Sequence, residues 1–263
     1  MTTEELAAGE MSLFDHLSEL RSRLFKCAVA ITIGFAVGFV VREQILFLLR
    51  EPYCDLPAAI RSGANSLAPD QACPLIVLRV MDGFFISMKA ASIVAVLVGG
   101  PVTAYQIWRF VTPGLRPVER RYAIPFLLAS FVLFTAGAVF SFYLLPQALA
   151  LLLSFAGEGI APVLGANEYL SFIIFTMLSF GVAFEFPLIL LMLILAGVVG
   201  PNGLITYRRH AIFGIFVAAA VITPTGDPIT MSAMAVPLYL FYEICVVVAK
   251  VVERRRRRRA AVA

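Results

Sequence analysis

Charge is scarce in this chain. Only 14% of its 263 residues are Asp, Glu, Lys or Arg, against about one-quarter in an ordinary soluble domain. That leaves too little polar surface to solvate a globule and excludes a soluble single-domain enzyme. Histidine is scarcer still, with only His16 and His210. No His-Glu-x-x-His run occurs, so a zinc intramembrane protease lacks its ligands. A serine–histidine intramembrane protease needs a histidine at membrane depth, and both histidines fall at predicted helix ends. Gly226-Asp227 resembles an aspartyl-protease element without its partner aspartate, and no glycine-rich phosphate loop appears. No metal ligand set, cofactor site or catalytic residue is expected. Transport, receptor work and assembly remain.

What the chain has in abundance is apolar: 60% hydrophobic residues, including 22 Phe and 8 Tyr. Such a composition does not stay solvated and disordered. Its apolar runs are unbroken, which argues against the alternation of a transmembrane β-barrel. Ala90–Trp108 has no charge over 19 residues, and Tyr122–Gly157 has none over 36. A span needs about 20, so Pro146 is expected to divide the second run into a span and an interfacial stretch. The predicted fold is all-α: one polytopic integral membrane domain over residues 1–250 with six transmembrane helices. They cover roughly 22–44, 79–104, 121–145, 167–195, 209–223 and 229–250. The fifth is barely long enough. Residues 251–263 are expected to form a disordered basic tail.

Six spans place both termini on one side. That side collects 16 of the 21 Lys and Arg, including Arg254 to Arg259, and is therefore cytoplasmic. The basic balance thus reports topology and gives little reason to expect nucleic acid. Six consecutive arginines beside a span suit an anchor against anionic lipid. The first 20 residues carry five acids and no apolar core, unlike a signal or transit peptide. The expected location is the plasma (inner) membrane of a prokaryotic cell. Cys27 and Cys245 fall in spans as packing residues. Cys54 and Cys73 share the first external loop, where a disulfide and two free thiols are equally open.

Polar residues gather in four places. In Ser12 to Arg23, Ser12 and Asp15 form a capping-box pattern, and Leu13, Leu17, Leu20 and Leu24 form an apolar stripe. Glu19 and Arg23 lie on another face as an i,i+4 pair, with a carboxylate at the interface ready for a cation. In Tyr105 to Arg121, Pro113-Gly114 breaks the helix and Pro117 opens the next. Glu119 then stands in a first turn among Arg116, Arg120 and Arg121, near Phe110. Third, Phe180 to Pro187 holds Glu185 inside a span, where a charge costs about 2.5–3.5 kcal/mol and so points to function. Fourth, Thr223 to Pro228 forms an external turn with Asp227, in place to sit below the outer surface.

His16-Leu17-Ser18-Glu19-Leu20-Arg21-Ser22-Arg23 resembles the opening signature of the TatC family, the receptor subunit of the twin-arginine protein translocase. Tyr105 to Arg121, Phe180 to Pro187, Thr223 to Pro228, and Ala235-Val236-Pro237 to Tyr242-Glu243 agree with that family in order. The resemblance implies a glove-shaped concave bundle that binds twin-arginine signal peptides at its cytoplasmic face. It further implies export of folded proteins by the proton-motive force, with TatA- and TatB-type single-span partners and self-association in the complex. Carried over residue by residue, signal-peptide contact falls to Glu19 and Glu119, with Arg21, Phe110 and Arg120 beside them. Glu185 becomes the polar site of the concavity, and the fifth helix docks the single-span partners. The chemistry suits: a guanidinium fork meets a carboxylate bidentately, whereas lysine offers a point charge.

The chain departs from that pattern at Met231, where the family often has Gln, and at Thr225-Gly226, where a proline-containing turn is commoner. The Cys54/Cys73 pair and the arginine tail also lie outside it. The rival reading is a secondary transporter of a small solute using Glu185. It calls for internal repeats, and the first three spans do not match the last three.

Overall fold

Long apolar runs in lipid must satisfy their backbone internally, and here they do so as helices. The computed structural model describes residues 13–57, 73–111, 123–155, 163–223 and 227–260. Helix α1 covers Leu13–Val40, and α2 covers Arg42–Cys54 after a one-residue break at Val41. Helices α3 (Asp82–Val111) and α4 (Ala123–Ser154) follow. Then come α5 (Ala166–Ala183), α6 (Phe186–Ala196), α7 (Pro201–Thr206), α8 (Arg208–Ile222) and α9 (Pro228–Ala260). Among the described residues, five segments are long and apolar enough to cross a membrane: Ser18–Val40, Asp82–Arg109, Ile124–Ser154, Ala166–Ala196 and Pro228–Arg255. Helix α8, with 15 residues, is about 22 Å long.

Several boundaries differ from expectation, each for a local reason. The first predicted span ended at 44, but α1 stops at Val40, and α2 is a separate helix that buries Leu49, Pro52 and Tyr53. Pro146 does not divide the third segment. It removes one backbone donor, yet Leu145, Ala148 and Leu149 around it are buried, and two of them pack against Tyr169 and Leu170. Packing holds the helix through to Ser154. The segment predicted as one helix over 167–195 is two. Pro187 has no N–H to offer Ala183, and the chain tightens instead, with Glu185 N–H donating to the Val182 carbonyl at 3.1 Å. Helix α6 ends at Gly197, whose φ of 80° is left-handed. There Val198 N–H reaches back to the Leu193 carbonyl at 3.0 Å, the glycine-capped helix end expected of that conformation. The last helix continues to Ala260, into the stretch expected to be a disordered tail.

The tightest seam joins α1 to α3, which run antiparallel. Gly34 and Gly38 form a small-xxx-small pair facing Ala95 and Ala91. A Cβ at Gly38 would lie 2.5 Å from the Ala91 carbonyl oxygen. Helices in lipid associate through such close backbone approach, because lipid supplies no hydrophobic drive between them. Two further cores lie among the described residues. One packs α2, α4 and α5 around Tyr169, whose hydroxyl donates to the Leu49 carbonyl at 2.9 Å. The other packs the end of α5 with α6 to α9 around Met234, Tyr242 and Cys245.

Candidate functional site: a polar cleft between the first and third helices

The seam opens where α1 begins. Glu19, Arg23 and Lys26 recur at spacings of four and three, so they share one face of α1. Gln106 and Arg109 do the same on the last turns of α3. Between them lies a cleft of about 270 Å³ lined by these residues together with Ser18 and Ser22. Arg23 is its anchor. Its side chain is only 11% exposed, and its Nε donates to Glu19 Oε1 at 3.1 Å. Its Nη2 pairs with the same oxygen, and its Nη1 donates to the Gln106 carbonyl at 3.3 Å. Glu19 remains 32% exposed, facing the cleft with its geometry fixed by Arg23. The described walls therefore carry one carboxylate and three cations.

Arg21, expected beside Glu19, is exposed and does not line the cleft, since two residues along a helix turn it to another face. Phe110 lies in the last turn of α3, but its side chain is outside what the structure describes. Glu119 and Arg120 lie outside the described residues altogether, as do residues 224–226, where the external turn is expected. Arg23, Lys26, Gln106 and Arg109 line the cleft beside Glu19 although none was among the expected site residues. The 3–4 spacing around Glu19 was the available signal on α1. Nothing in the sequence alone pairs Gln106 with Arg23, because that contact is tertiary.

Glu185 sits at the break between α5 and α6, half-buried, where it accepts a hydrogen bond from Ser130 Oγ of α4 at 2.9 Å. Asp227 is 5% exposed and caps α9. Its Oδ1 accepts from the N–H groups of Ile229 at 3.0 Å and Thr230 at 2.9 Å, and its Oδ2 accepts from the Thr230 hydroxyl. That geometry satisfies donors every helix start leaves orphaned. Cys54 and Cys73 are joined in a disulfide, with Cα atoms 5.6 Å apart. Lys89, a charge inside α3, bridges to α5. Its Nζ donates to the Asn167 carbonyl at 3.1 Å, to Ser171 Oγ at 2.6 Å and to the Asn167 side chain. Near the start of α8, Arg208 pairs with Glu243 and with the Tyr239 hydroxyl.

Long apolar helices packed through small residues, with a charged cleft at one end of the tightest seam, define a multi-pass membrane protein. The Sec-independent protein translocase protein (TatC) family model matches residues 15–237. The Sec-independent protein translocase protein TatC of Frankia casuarinae is 42% identical over 96% of this chain and 69% of its own length. That of Aquifex aeolicus is 36% identical over 93% of this chain and 97% of its own. A crystal structure of the twin-arginine translocase receptor TatC in DDM superposes with a TM-score of 0.69 at 35% identity, covering 89% of this chain and 99% of that one. The chain belongs to the TatC family: it is a component of a Sec-independent protein translocase, a transport protein and not an enzyme.

Proposed function

We propose that this chain is the receptor of the translocase and binds the paired arginines of a signal peptide at the α1–α3 cleft. The observation that carries the reading is Glu19, a carboxylate held in place by Arg23 and turned toward the cleft. Three cations line the described walls against one carboxylate, so a second anion is required to hold two guanidinium groups. Glu119, which follows α3 in the chain, supplies it. Arg120 and Phe110 flank that carboxylate in sequence, whereas Arg21 contributes only to the cationic surface around the site.

In this reading α8 is the sixth span. Its length of about 22 Å against a hydrocarbon core of roughly 30 Å thins the bilayer locally. Both termini are then cytoplasmic, as the Lys and Arg distribution requires, in the inner membrane of a prokaryotic cell. TatA- and TatB-type single-span proteins assemble on the bundle, further copies of the chain join the complex, and the proton-motive force drives export. Glu185, paired with Ser130 beside the helix break, serves the later assembly step and not signal recognition.

Binding of a twin-arginine signal peptide to the purified protein in nanodiscs tests this. Wild type should bind, and Glu19→Ala with Glu119→Ala should abolish binding. A twin-lysine peptide should bind more weakly. No binding by folded wild type would overturn the receptor reading and turn attention to Glu185 as a small-solute site.

A further inference from the structure

The last helix carries a feature that signal recognition does not use. Along α9, Ile229, Val236, Leu240, Ile244, Val247 and Val251 are all exposed. Their offsets of 7, 11, 15, 18 and 22 from Ile229 place them on one helical face. From first to last the rise is about 33 Å, close to the roughly 30 Å depth of a hydrocarbon core. The lipid-facing stripe therefore ends at Val251. One turn further on, about 5 Å away, Arg254 to Arg259 follow without a break in the helix. The arginines thus begin at headgroup depth.

Two properties of the run select its partner. Six successive positions at about 3.6 per turn pass more than once around the helix. A collar of that kind suits a layer that surrounds the helix, whereas a protein surface would need a stripe. Arg254, Arg255 and Arg258 are exposed, and the run contains no lysine, which favours forked pairing with phosphate. We propose that the Arg254–Arg259 collar binds the phosphates of anionic phospholipids in the leaflet from which α9 emerges, and so sets the depth of that helix. Cys245, Val246 and Ala249, a few residues before it, are buried in the core shared with α6 to α8. Fixing α9 therefore fixes the height of the neighbouring helices as well.

The test uses the full chain in nanodiscs of mixed phosphatidylcholine and phosphatidylglycerol. Native mass spectrometry after mild detergent release reads which lipids stay bound. Wild type should retain phosphatidylglycerol over phosphatidylcholine. Each engaged arginine is worth roughly fivefold in partition, so replacing all six by Gln should reduce that preference by about tenfold or more, while replacing all six by Lys, which keeps the charge without the fork, should leave an intermediate preference. Circular dichroism melts check that each variant is folded. Should the Gln variant not fold, a salt titration of wild type substitutes: its preference must fall as ionic strength rises. Equal preference in wild type and the Gln variant, or insensitivity to salt, would overturn the proposal. So would a wild type that captures a short RNA in phosphatidylcholine discs while showing no preference for phosphatidylglycerol.

Discussion

At the scale of single residues, the distinction that matters is between a carboxylate held for a ligand and one consumed by the fold. Asp227 is consumed. Both of its oxygens accept from Thr230, and one also accepts from Ile229 N–H. Asp227→Ala should cost about 1 kcal/mol, typical of a lost helix cap, seen as a lower melting temperature in detergent. Asp227→Asn should recover most of the loss. Glu19 is different because its partner leaves it exposed to a cleft. Hydrogen bonds to charged groups are worth about 1.5–3 kcal/mol. Glu19→Gln should therefore weaken twin-arginine peptide binding by roughly tenfold or more, and Arg21→Gln, on another face of α1, should change it little. Isothermal titration with the same peptide separates the two. Glu19 and its i,i+4 partner were readable in the sequence because helical spacing is local. The capping role of Asp227 was readable less well, since an aspartate after Pro-Thr-Gly suits a site as well as a cap.

At the scale of elements, the α1–α3 seam positions the cleft. Gly38 permits it: any side chain there meets Ala91 backbone at contact distances no real Cβ tolerates. Gly38→Val should therefore lower the melting temperature sharply and remove peptide binding with it. Gly83→Ala on α3, where a Cβ would meet nothing within 4 Å, should be silent in both measurements. Hydrophobic runs between charges revealed the long helices, since lipid demands them. Three features were not legible. Helix α2 is short and mixed in polarity. The stretch after Pro146 keeps its helix through burial against α5. The division at Glu185 depends on how the chain accommodates Pro187. Each is decided by neighbours absent from a local pattern.

At the scale of the whole molecule, the end opposite the cleft is tied together across several elements. The Cys54–Cys73 disulfide links α2 to the segment leading into α3. The Ala166 N–H then bonds the Ile76 carbonyl of that segment at 2.8 Å, and Tyr169 ties α5 back to α2. A disulfide closing a loop of this size contributes on the order of 3 kcal/mol through the unfolded chain. Cys54→Ser should lower the melting temperature, and reductant should lower that of wild type but not of the variant. Because this tie lies at the far end from Glu19, peptide affinity should hold in both cases at temperatures below melting. The all-helical membrane class was legible from composition and run length. Of the cleft's cations, Arg23 and Lys26 share a face of α1 with Glu19, but Arg109 joins them only when α3 folds back along α1.

Carboxylates at the α1–α3 end that read the arginine pair must couple to it energetically. A double-mutant cycle measures that coupling: Glu19→Gln and Glu119→Gln, each against signal peptides carrying one Arg→Lys change. Each carboxylate should couple to one particular arginine by about 1 kcal/mol or more, as groups in direct contact do. Purely additive losses for every combination would mean that neither carboxylate touches the arginine pair, and the α1–α3 end would not be the recognition site.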